Sequence, residues 1–286
     1  MTDFIETPHG SKIAYNQSIG KENSIVFLSG FGSDMQGKKA LFIEKWAKDC
    51  NHSFLRFDYS GHGLSSDNLN NTCFTDWYKD AEFLIKKLTK GKQILIGSSM
   101  GGWVMLKLSK LLPQKVSAMI GLAPAPDFPQ NLIWKNRNTT QKRQLVTNKN
   151  INFIDANEIN HFFSYKLIKD SFKNLTLSED ILFKGPVHLY HGMKDEDVPY
   201  GMSIKILEKI KGSQNVSLLL DKEAGHRLSE MNQLDMIIDI INKLSSNNVK
   251  PYIISIAGMC LDDNIIIINA KNHKLKKNID RNVGIE

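Results

Sequence analysis

Between Gln93 and Leu106 the chain reads QILIGSSMGGWVML. Two adjacent serines stand there among glycines, and only one frame fits G-x-S-x-G: Gly97, Ser99 and Gly101. Ser98 would need a glycine where Ile96 stands. A serine hydroxyl is a poor nucleophile until a base takes its proton, so the motif carries chemistry only if a histidine reaches it from elsewhere in the fold. The apolar run before the serines reads as a strand and GGWVMLKLSKLL after them as a helix, which puts Ser99 at a strand-to-helix turn. Flanking glycines remove Cβ atoms that would clash in a tight elbow. Taken alone, the stretch is equally a plain turn with no chemistry.

Eight histidines are available as the base. His226, in LLLDKEAGHRLSE, lies in a glycine-containing loop after the last strand candidate of the α/β rhythm and before its last helix. His9 sits in a hairpin turn, His52 before a strand and His188 within one, so each reads as structural. His62 and His191 stand at strand ends, where loop filling and packing are the plainer roles, and His273 falls in the C-terminal segment. A carboxylate must then orient the imidazole and stabilise its charged form. LYHGMKDEDVPY offers Asp195, Glu196 and Asp197 at the carboxyl end of a strand, where α/β sheets place their sites. The pattern H-G-x-x-D-x-x-V-P favours Asp195, with Asp197 second and Asp127, in LAPAPDF, third. Attack on an acyl carbon also creates an oxyanion, and removing one donor to it costs about 2.7–4 kcal/mol. The expected donors are the backbone N–H groups of Met100, just after Ser99, and of Phe31, in LSGFGSDMQG, where Gly30 and Gly32 permit close approach.

These side chains need a scaffold that brings together residues far apart in sequence. Short apolar runs at 24–30, 53–59, 93–97, 116–123, 187–192 and 216–220 read as buried strands. Helical patterns at 38–49, 75–88, 101–112, 200–211 and 229–244 alternate with them. This rhythm predicts an α/β, doubly wound, mostly parallel sheet. A hairpin turning at Pro8-His9-Gly10 adds antiparallel strands at one edge. Residues 1–124 and 183–245 form the expected core, and 125–182, polar, aromatic and helix-leaning without a clear strand, the expected small helical cap. Trp103 and Met105 read as core, whereas Phe153, Phe162, Phe163, Tyr165 and Phe172 serve equally as an acyl groove or as the cap's own core. Residues 246–286, with an apolar patch at 253–270, form an extension that reads equally as an extra strand pair or as a loosely ordered tail.

The totals narrow the classes. A chain of 286 residues, 41% hydrophobic and 23% charged, buries a substantial core. The net charge of +7 comes from lysines scattered over helix-like segments, which reads as solvated faces and no nucleic-acid partner. Cys50, Cys73 and Cys260 show neither CxxC nor metal-ligand spacing, so free thiols and no metal or other cofactor are expected. No secretory signal opens the chain, and IIII at 265–268 is far too short to span a bilayer, which makes a cytoplasmic location the expectation.

RFDYSGHGLSS (56–66), GSSMGG, HGMKDEDVP and AGH occur together in the order and places of the α/β-hydrolase fold. From 24 to about 244 the chain resembles that superfamily, in which serine, acid and histidine follow in that order. RFDYSG, GSSMGGWVML and HGMKDEDVP are most similar to the mitochondrial acyl-protein thioesterase type. The resemblance implies a serine hydrolase acting through an acyl-enzyme on acyl thioesters, such as S-palmitoyl cysteine, and on some carboxylic esters, acyl glucuronides among them. It places Ser99, Asp195 and His226 in the triad, favours Asp195 over Asp127, and implies an acyl substrate that is a small molecule or protein-linked. It weakens in 125–182 and ends before 246–286. The first residues are neither Arg-rich nor Ser-rich, as a transit peptide would be, so a bacterial relative is expected. C–C bond hydrolases, peptidases, cofactor-free peroxidases and low-turnover ligand-binding proteins are the alternatives on the same fold.

Overall fold

A computed structural model of the chain describes residues 2–154, 160–245 and 265–269, with side chains described for 2–150 and 163–244. The strands are β1 (Asp3–Glu6), β2 (Lys12–Ser18), β3 (Ser24–Leu28), β4 (Ser53–Phe57), β5 (Gln93–Ser98), β6 (Val116–Leu122), β7 (Asn150–Ile154), β8 (Asn160–Ser164), β9 (Ile181–Leu182), β10 (Val187–Gly192), β11 (Ile210–Lys211), β12 (Val216–Asp221) and β13 (Ile265–Asn269). The α-helices are α1 (Lys38–Asp49), α2 (Phe74–Leu88), α3 (Met100–Leu111), α4 (Thr139–Asn148), α5 (Tyr165–Ser171), α6 (Gly201–Lys209) and α7 (Met231–Ser245), and a π-helical turn spans Pro129–Trp134.

Nine strands form the main sheet in the order β1-β2-β4-β3-β5-β6-β10-β12-β13. The six from β4 to β12 run parallel. A parallel sheet with helices on both faces demands apolar side chains throughout, and β5 is buried at every position. One core forms where Ala40, Ile43 and Ala47 of α1 and Ile237 and Ile241 of α7 cover one face. The other forms where Trp77 of α2, Trp103 and Met105 of α3 and Ile206 of α6 cover the opposite face. Trp103 is fully buried, stacks on Phe74 with ring centroids 3.5 Å apart, and donates its indole N–H to Thr176 Oγ1 at 2.9 Å. The first hairpin turns as its Pro-His-Gly sequence predicts, with Asp3 paired to Tyr15 and Glu6 to Lys12.

Two segments depart from the pattern read in the sequence. Residues 125–182, between β6 and β10, contain α4 and α5 but also the β7–β8 pair, antiparallel from Asn150↔Ser164 to Ile154↔Asn160. Among the described residues the two strands pair only with each other, and neither carries the continuous apolar run that marks a strand of the main sheet. Within 246–286, β13 lies antiparallel to β12, with Asp221 facing Ile265 and Ser217 facing Asn269, and so becomes the sheet's edge. An apolar run signals a strand, but its partner lies more than forty residues upstream and no local pattern names it. The rest of that extension lies outside the described residues, as does Cys260, while Cys50 and Cys73 are free thiols. Among the described residues no helix is long and apolar enough to cross a membrane.

At the centre of the sheet, β5 runs into α3 through Ser99. A Cβ added at Gly97 would stand 2.4 Å from the Gly101 carbonyl oxygen, and one at Gly101 would stand 2.0 Å from the Leu28 carbonyl oxygen. The glycines of the motif are thus contacts between backbones, with no room for a methyl group. Gly101→Ala is expected to destabilise the protein by about 3 kcal/mol. Gly201→Ala, where an added Cβ meets nothing within 4 Å, should be neutral or stabilising by about 0.5 kcal/mol. Urea denaturation of the two variants checks the contrast.

Candidate active site

Ser99 has φ 52° and ψ −119°, a backbone conformation that side chains other than glycine rarely adopt. Two hydrogen bonds to the strand end beside it hold the turn: Ser99 N–H to the Leu122 carbonyl at 2.9 Å and Ala125 N–H to the Ser99 carbonyl at 3.0 Å. The side chain stands out at the carboxyl end of β5, and Ser99 Oγ lies 3.0 Å from His226 Nε2. His226 Nδ1 lies 2.7 Å from Asp195 Oδ2. A nitrogen facing a carboxylate at that distance carries the hydrogen, so Nε2 presents its lone pair to the serine O–H. Ser99, His226 and Asp195 are therefore brought into one hydrogen-bonded chain. Ser98, the other serine of the pair, belongs to β5 and is buried.

The loops that carry the acid and the histidine are fastened to each other. Asp221, the last residue of β12, accepts the N–H groups of Glu223 at 3.0 Å and Ala224 at 3.1 Å, and the Tyr190 hydroxyl at 2.8 Å. The Ala224 carbonyl in turn accepts Lys194 N–H at 3.0 Å from the loop after β10. Asp195 Oδ1 accepts Asp197 N–H at 3.0 Å and Val198 N–H at 2.7 Å, and Oδ2 accepts from both His226 and His191, the latter at 3.0 Å. Burial alone would raise this carboxyl, but the His191 and His226 hydrogen bonds, with the charge of His226 and Val198 N–H, bring it down to about 2. Asp195, Asp197 and His226 each bring a possible metal-ligand atom within 4.8 Å of the others. Four accepted hydrogen bonds leave Asp195 no lone pair to offer a cation.

Asp197 is half-buried and lines the cavity in front of Ser99, whereas both Asp127 oxygens are taken by the backbone N–H groups of Thr176 and Leu177. Asp127, buried at φ 57°, accepts Thr176 N–H at 2.8 Å and Leu177 N–H at 3.0 Å, joining the two ends of the 125–182 segment. The expected oxyanion donors lie on either side of Ser99. Met100 opens α3, where a helix's first N–H groups lack intrahelical acceptors. Phe31 follows Gly30, at which an added Cβ would stand 3.3 Å from Ser99 Cβ, so this loop passes directly beside the serine. Asp58 steadies the loop by accepting Met35 N–H at 2.6 Å and Leu64 N–H at 2.8 Å.

A cavity of about 500 Å³ opens in front of Ser99 and His226. One wall is apolar, formed by Phe31, Phe128, Leu132, Ile133 and Phe163. The Phe31 ring stacks on Phe163 at 4.9 Å and meets Phe128 at 5.8 Å and Trp77 at 5.7 Å. Of the aromatics singled out in 125–182, Phe163 thus lines the cavity. Phe172 is exposed and packs edge-on to Trp134 outside it, and the Phe153 and Phe162 side chains lie outside those described. The lining also includes the charged residues Lys38, Lys39, Arg227 and Asp34. Lys39 donates to the Arg227 carbonyl, and burial beside the Arg227 charge lowers it to about 8.

The remaining histidines are held elsewhere. His9 Nε2 meets Asp80 at 2.7 Å, His52 stacks on Trp46, and His188 meets Ser217 Oγ at 2.6 Å. His62 donates from Nδ1 to the Ser60 carbonyl at 3.2 Å, and burial lowers it to about 4. His191 is different: it touches Asp195 itself, a contact that its place at a strand end did not signal. The sequence showed only that it precedes a glycine near the acid. His273 lies outside the described residues, and the His161 side chain outside the described side chains.

Replacing Asp127 should cost stability, since two buried N–H groups would lose their acceptor. Asp127→Ala is expected to destabilise by about 2–4 kcal/mol, with Asp127→Asn in between, as read by chemical denaturation.

Residues 23–144 match the family model described as alpha/beta hydrolase fold. The chain is 35% identical over 252 residues to the palmitoyl-protein thioesterase ABHD10, mitochondrial, of Rattus norvegicus, covering 85% of this chain and 83% of that protein. The human protein of the same name is 35% identical, with 85% and 81% covered. The solved structure of alpha/beta hydrolase domain-containing protein 10 from mouse superposes with a TM-score of 0.80 at 32% identity, covering 85% of this chain and 98% of that one. A putative hydrolase from Agrobacterium vitis S4 superposes with a TM-score of 0.81 at 30% identity, covering 86% and 99%. The relay of Ser99, His226 and Asp195 thus stands on a scaffold shared over most of its length, and the chain belongs to the α/β-hydrolase family, alongside the ABHD10 palmitoyl-protein thioesterases.

Proposed function

We propose that the protein is a serine hydrolase that cleaves carboxylic esters or acyl thioesters. The observation that carries this reading is the hydrogen-bonded chain from Ser99 Oγ through His226, at 3.0 Å and 2.7 Å, to Asp195. Ser99 attacks the acyl carbon while His226 Nε2 takes its proton, and Asp195 stabilises the imidazolium that results. The oxyanion is received by the N–H groups of Met100 and Phe31. Collapse of the tetrahedral intermediate expels the leaving alcohol or thiol, to which His226 returns the proton. Water, deprotonated by the same nitrogen, then cleaves the acyl-enzyme.

The apolar wall of the cavity supports an acyl substrate. Phe31, Phe128, Leu132, Ile133 and Phe163 form a continuous hydrocarbon surface that begins beside Ser99. Burying a chain methylene against such a surface contributes about 0.8 kcal/mol. In this reading the 125–182 segment is the cap that supplies most of that wall, and Asp127 is its anchor. The relatives are called palmitoyl-protein thioesterases, which supports the thioester reading and either a protein-linked or a small-molecule acyl donor.

Ser99→Ala is expected to abolish labelling by a fluorophosphonate probe and to lower turnover of a p-nitrophenyl ester by about 10⁴–10⁶-fold, while Ser98→Ala keeps the label. Labelling that survives in Ser99→Ala and vanishes in Ser98→Ala would sink the assignment.

The acid limb of activity follows from Asp195. With its carboxyl at about 2 it stays ionised across the working range, so loss of kcat/KM on acidification should follow one proton, taken up by His226. A limb steeper than one proton per pH unit above about pH 4 would show Asp195 titrating as well. The same depressed carboxyl contributes stability that is complete above its unfolded value near about 3.9 and is lost as pH falls toward about 2.

A further inference from the structure

Two histidines share one carboxylate oxygen, yet only His226 reaches Ser99. His191 Nε2 lies 3.0 Å from Asp195 Oδ2 and 2.9 Å from the Val198 carbonyl, and its Nδ1 lies 2.7 Å from Ser203 Oγ in the first turn of α6. His191 and Ser203 are fully buried, and Asp195 is 7% exposed. We infer that His191, set by Ser203, is a positioning residue that holds Asp195 for His226 and takes up part of its charge. The inference rests on the reading of Ser99, His226 and Asp195 given above.

The contacts select the tautomer. Both neighbours of Nε2 are acceptors, a carboxylate and a carbonyl, so the hydrogen belongs on Nε2. Nδ1 then offers a lone pair, and the Ser203 hydroxyl, which can donate, supplies its hydrogen. The reverse tautomer would turn a bare nitrogen toward two oxygens at a fully buried position, at a cost comparable to a lost hydrogen bond. Ser203 therefore points the His191 N–H at Asp195.

The geometry also shows what that N–H does. Backbone N–H groups of Asp197 and Val198 hold Oδ1, but among the described residues no backbone donor reaches Oδ2. His191 occupies that oxygen independently of His226, so the plane of the carboxylate is set before the reacting histidine engages it. A group held by its surroundings in advance loses less on moving to the transition state. The same bond has an electrostatic consequence. A donor on Oδ2 weakens the carboxylate's hold on an imidazolium, so removing it strengthens that hold and moves the acid limb of activity to higher pH.

The other charged groups lining the cavity with His226 are Asp197 on the same loop as Asp195, Arg227 next to it in sequence, and Lys38, Lys39 and Asp34. Around His191, Asp221 at the adjacent end of β12 is committed to Tyr190 and two loop N–H groups. Ser203 of α6 is uncharged. All of these remain in place when position 191 is changed.

The test compares two amides in the full chain. In His191→Gln the side-chain nitrogen reaches the place of Nε2 and still donates to Asp195; in His191→Asn it stops near the place of Nδ1 and does not. The rate of fluorophosphonate labelling and kcat/KM for p-nitrophenyl acetate are measured from about pH 5 to about pH 9, spanning the range in which a histidine titrates, with Tm recorded for each variant. The Asn variant is expected to lose on the order of tenfold or more in kcat/KM, with its acid limb raised by roughly half a pH unit or more. The Gln variant should return the limb to the parent's position and exceed the Asn variant in kcat/KM. An Asn limb coincident with the parent's, or a Gln limb displaced as far as that of Asn, overturns the proposal whatever happens to Tm. A parent chain labelled elsewhere than Ser99 would strike the reading of Ser99 first and take this proposal with it.

Discussion

Ser99 is held in an unfavourable backbone conformation because the strand before it and the helix after it approach more closely than side chains permit. Gly97, Gly101 and Gly102 are the places where that approach occurs, against the backbones of Gly101 and Leu28 and against Pro124. A residue with a side chain at positive φ costs about 1–2 kcal/mol. Two hydrogen bonds to the end of β6 and the full burial of β5 offset it. The result is a serine whose Oγ projects beyond the sheet and whose successor, Met100, opens a helix. Every other element of the proposed site is placed relative to that turn. The loop after β3 runs beside it, and the loops after β10 and β12 converge on its hydroxyl.

Those loops are organised by one recurring device. At the carboxyl ends of β4, β6, β10 and β12 stand Asp58, Asp127, Asp195 and Asp221, each buried and each accepting two backbone N–H groups. A carboxylate that gathers two N–H donors fixes the path of a loop that has no secondary structure of its own. Burial raises the Asp58 and Asp127 carboxyls, each despite two such N–H bonds. Asp195 alone meets two histidines as well, and its carboxyl falls to about 2. One residue type in one topological position thus serves in most cases to shape a loop. In one case it also electrostatically supports an imidazole. Asp195 takes both N–H groups on Oδ1 and turns Oδ2 to two histidines, whereas Asp58 and Asp127 spend one oxygen on each N–H group.

The 125–182 segment is tied to this framework by the Asp127 clamp and by aromatic packing centred on Phe31. That ring meets Trp77 from α2, Phe128 at the start of the segment, and Phe163 from its hairpin. Phe31 belongs to the loop proposed to bind the oxyanion, so the apolar wall of the cavity and the position of that loop are coupled by direct contact. The lining also includes Lys39 and Arg227, so a substrate entering this cavity would meet both hydrocarbon and charge.

Much of this was legible in the residue order because parallel strands buried on both faces leave an unmistakable apolar rhythm, and because glycine spacing singles out Ser99 from Ser98. The hairpin at Pro8-His9-Gly10 was legible for the same local reason. The β7–β8 pair and β13 were not: their strands are short and their partners are set by contacts that no local pattern records. Asp195, Asp197 and Asp127 are also equivalent as residue types at strand ends. The pattern H-G-x-x-D-x-x-V-P favours Asp195 among them, while the turn of each loop shows that Asp197 borders the cavity and that Asp127 clamps the segment.

His191 marks the boundary most sharply. Its neighbour Gly192 and its distance from Asp195 in sequence allow packing and catalysis alike, because a strand-end side chain can face either side of the sheet. The sequence by itself determined the alternation of strands and helices, the glycine-flanked serine and the order of serine, acid and histidine. These depend on side-chain size and polarity over a few neighbouring residues. The tertiary structure alone decided that a second buried histidine shares the Asp195 carboxylate and which aromatics line the cavity. Those outcomes depend on where loops from distant strands converge, and that is settled by backbone hydrogen bonds between residues far apart in the chain.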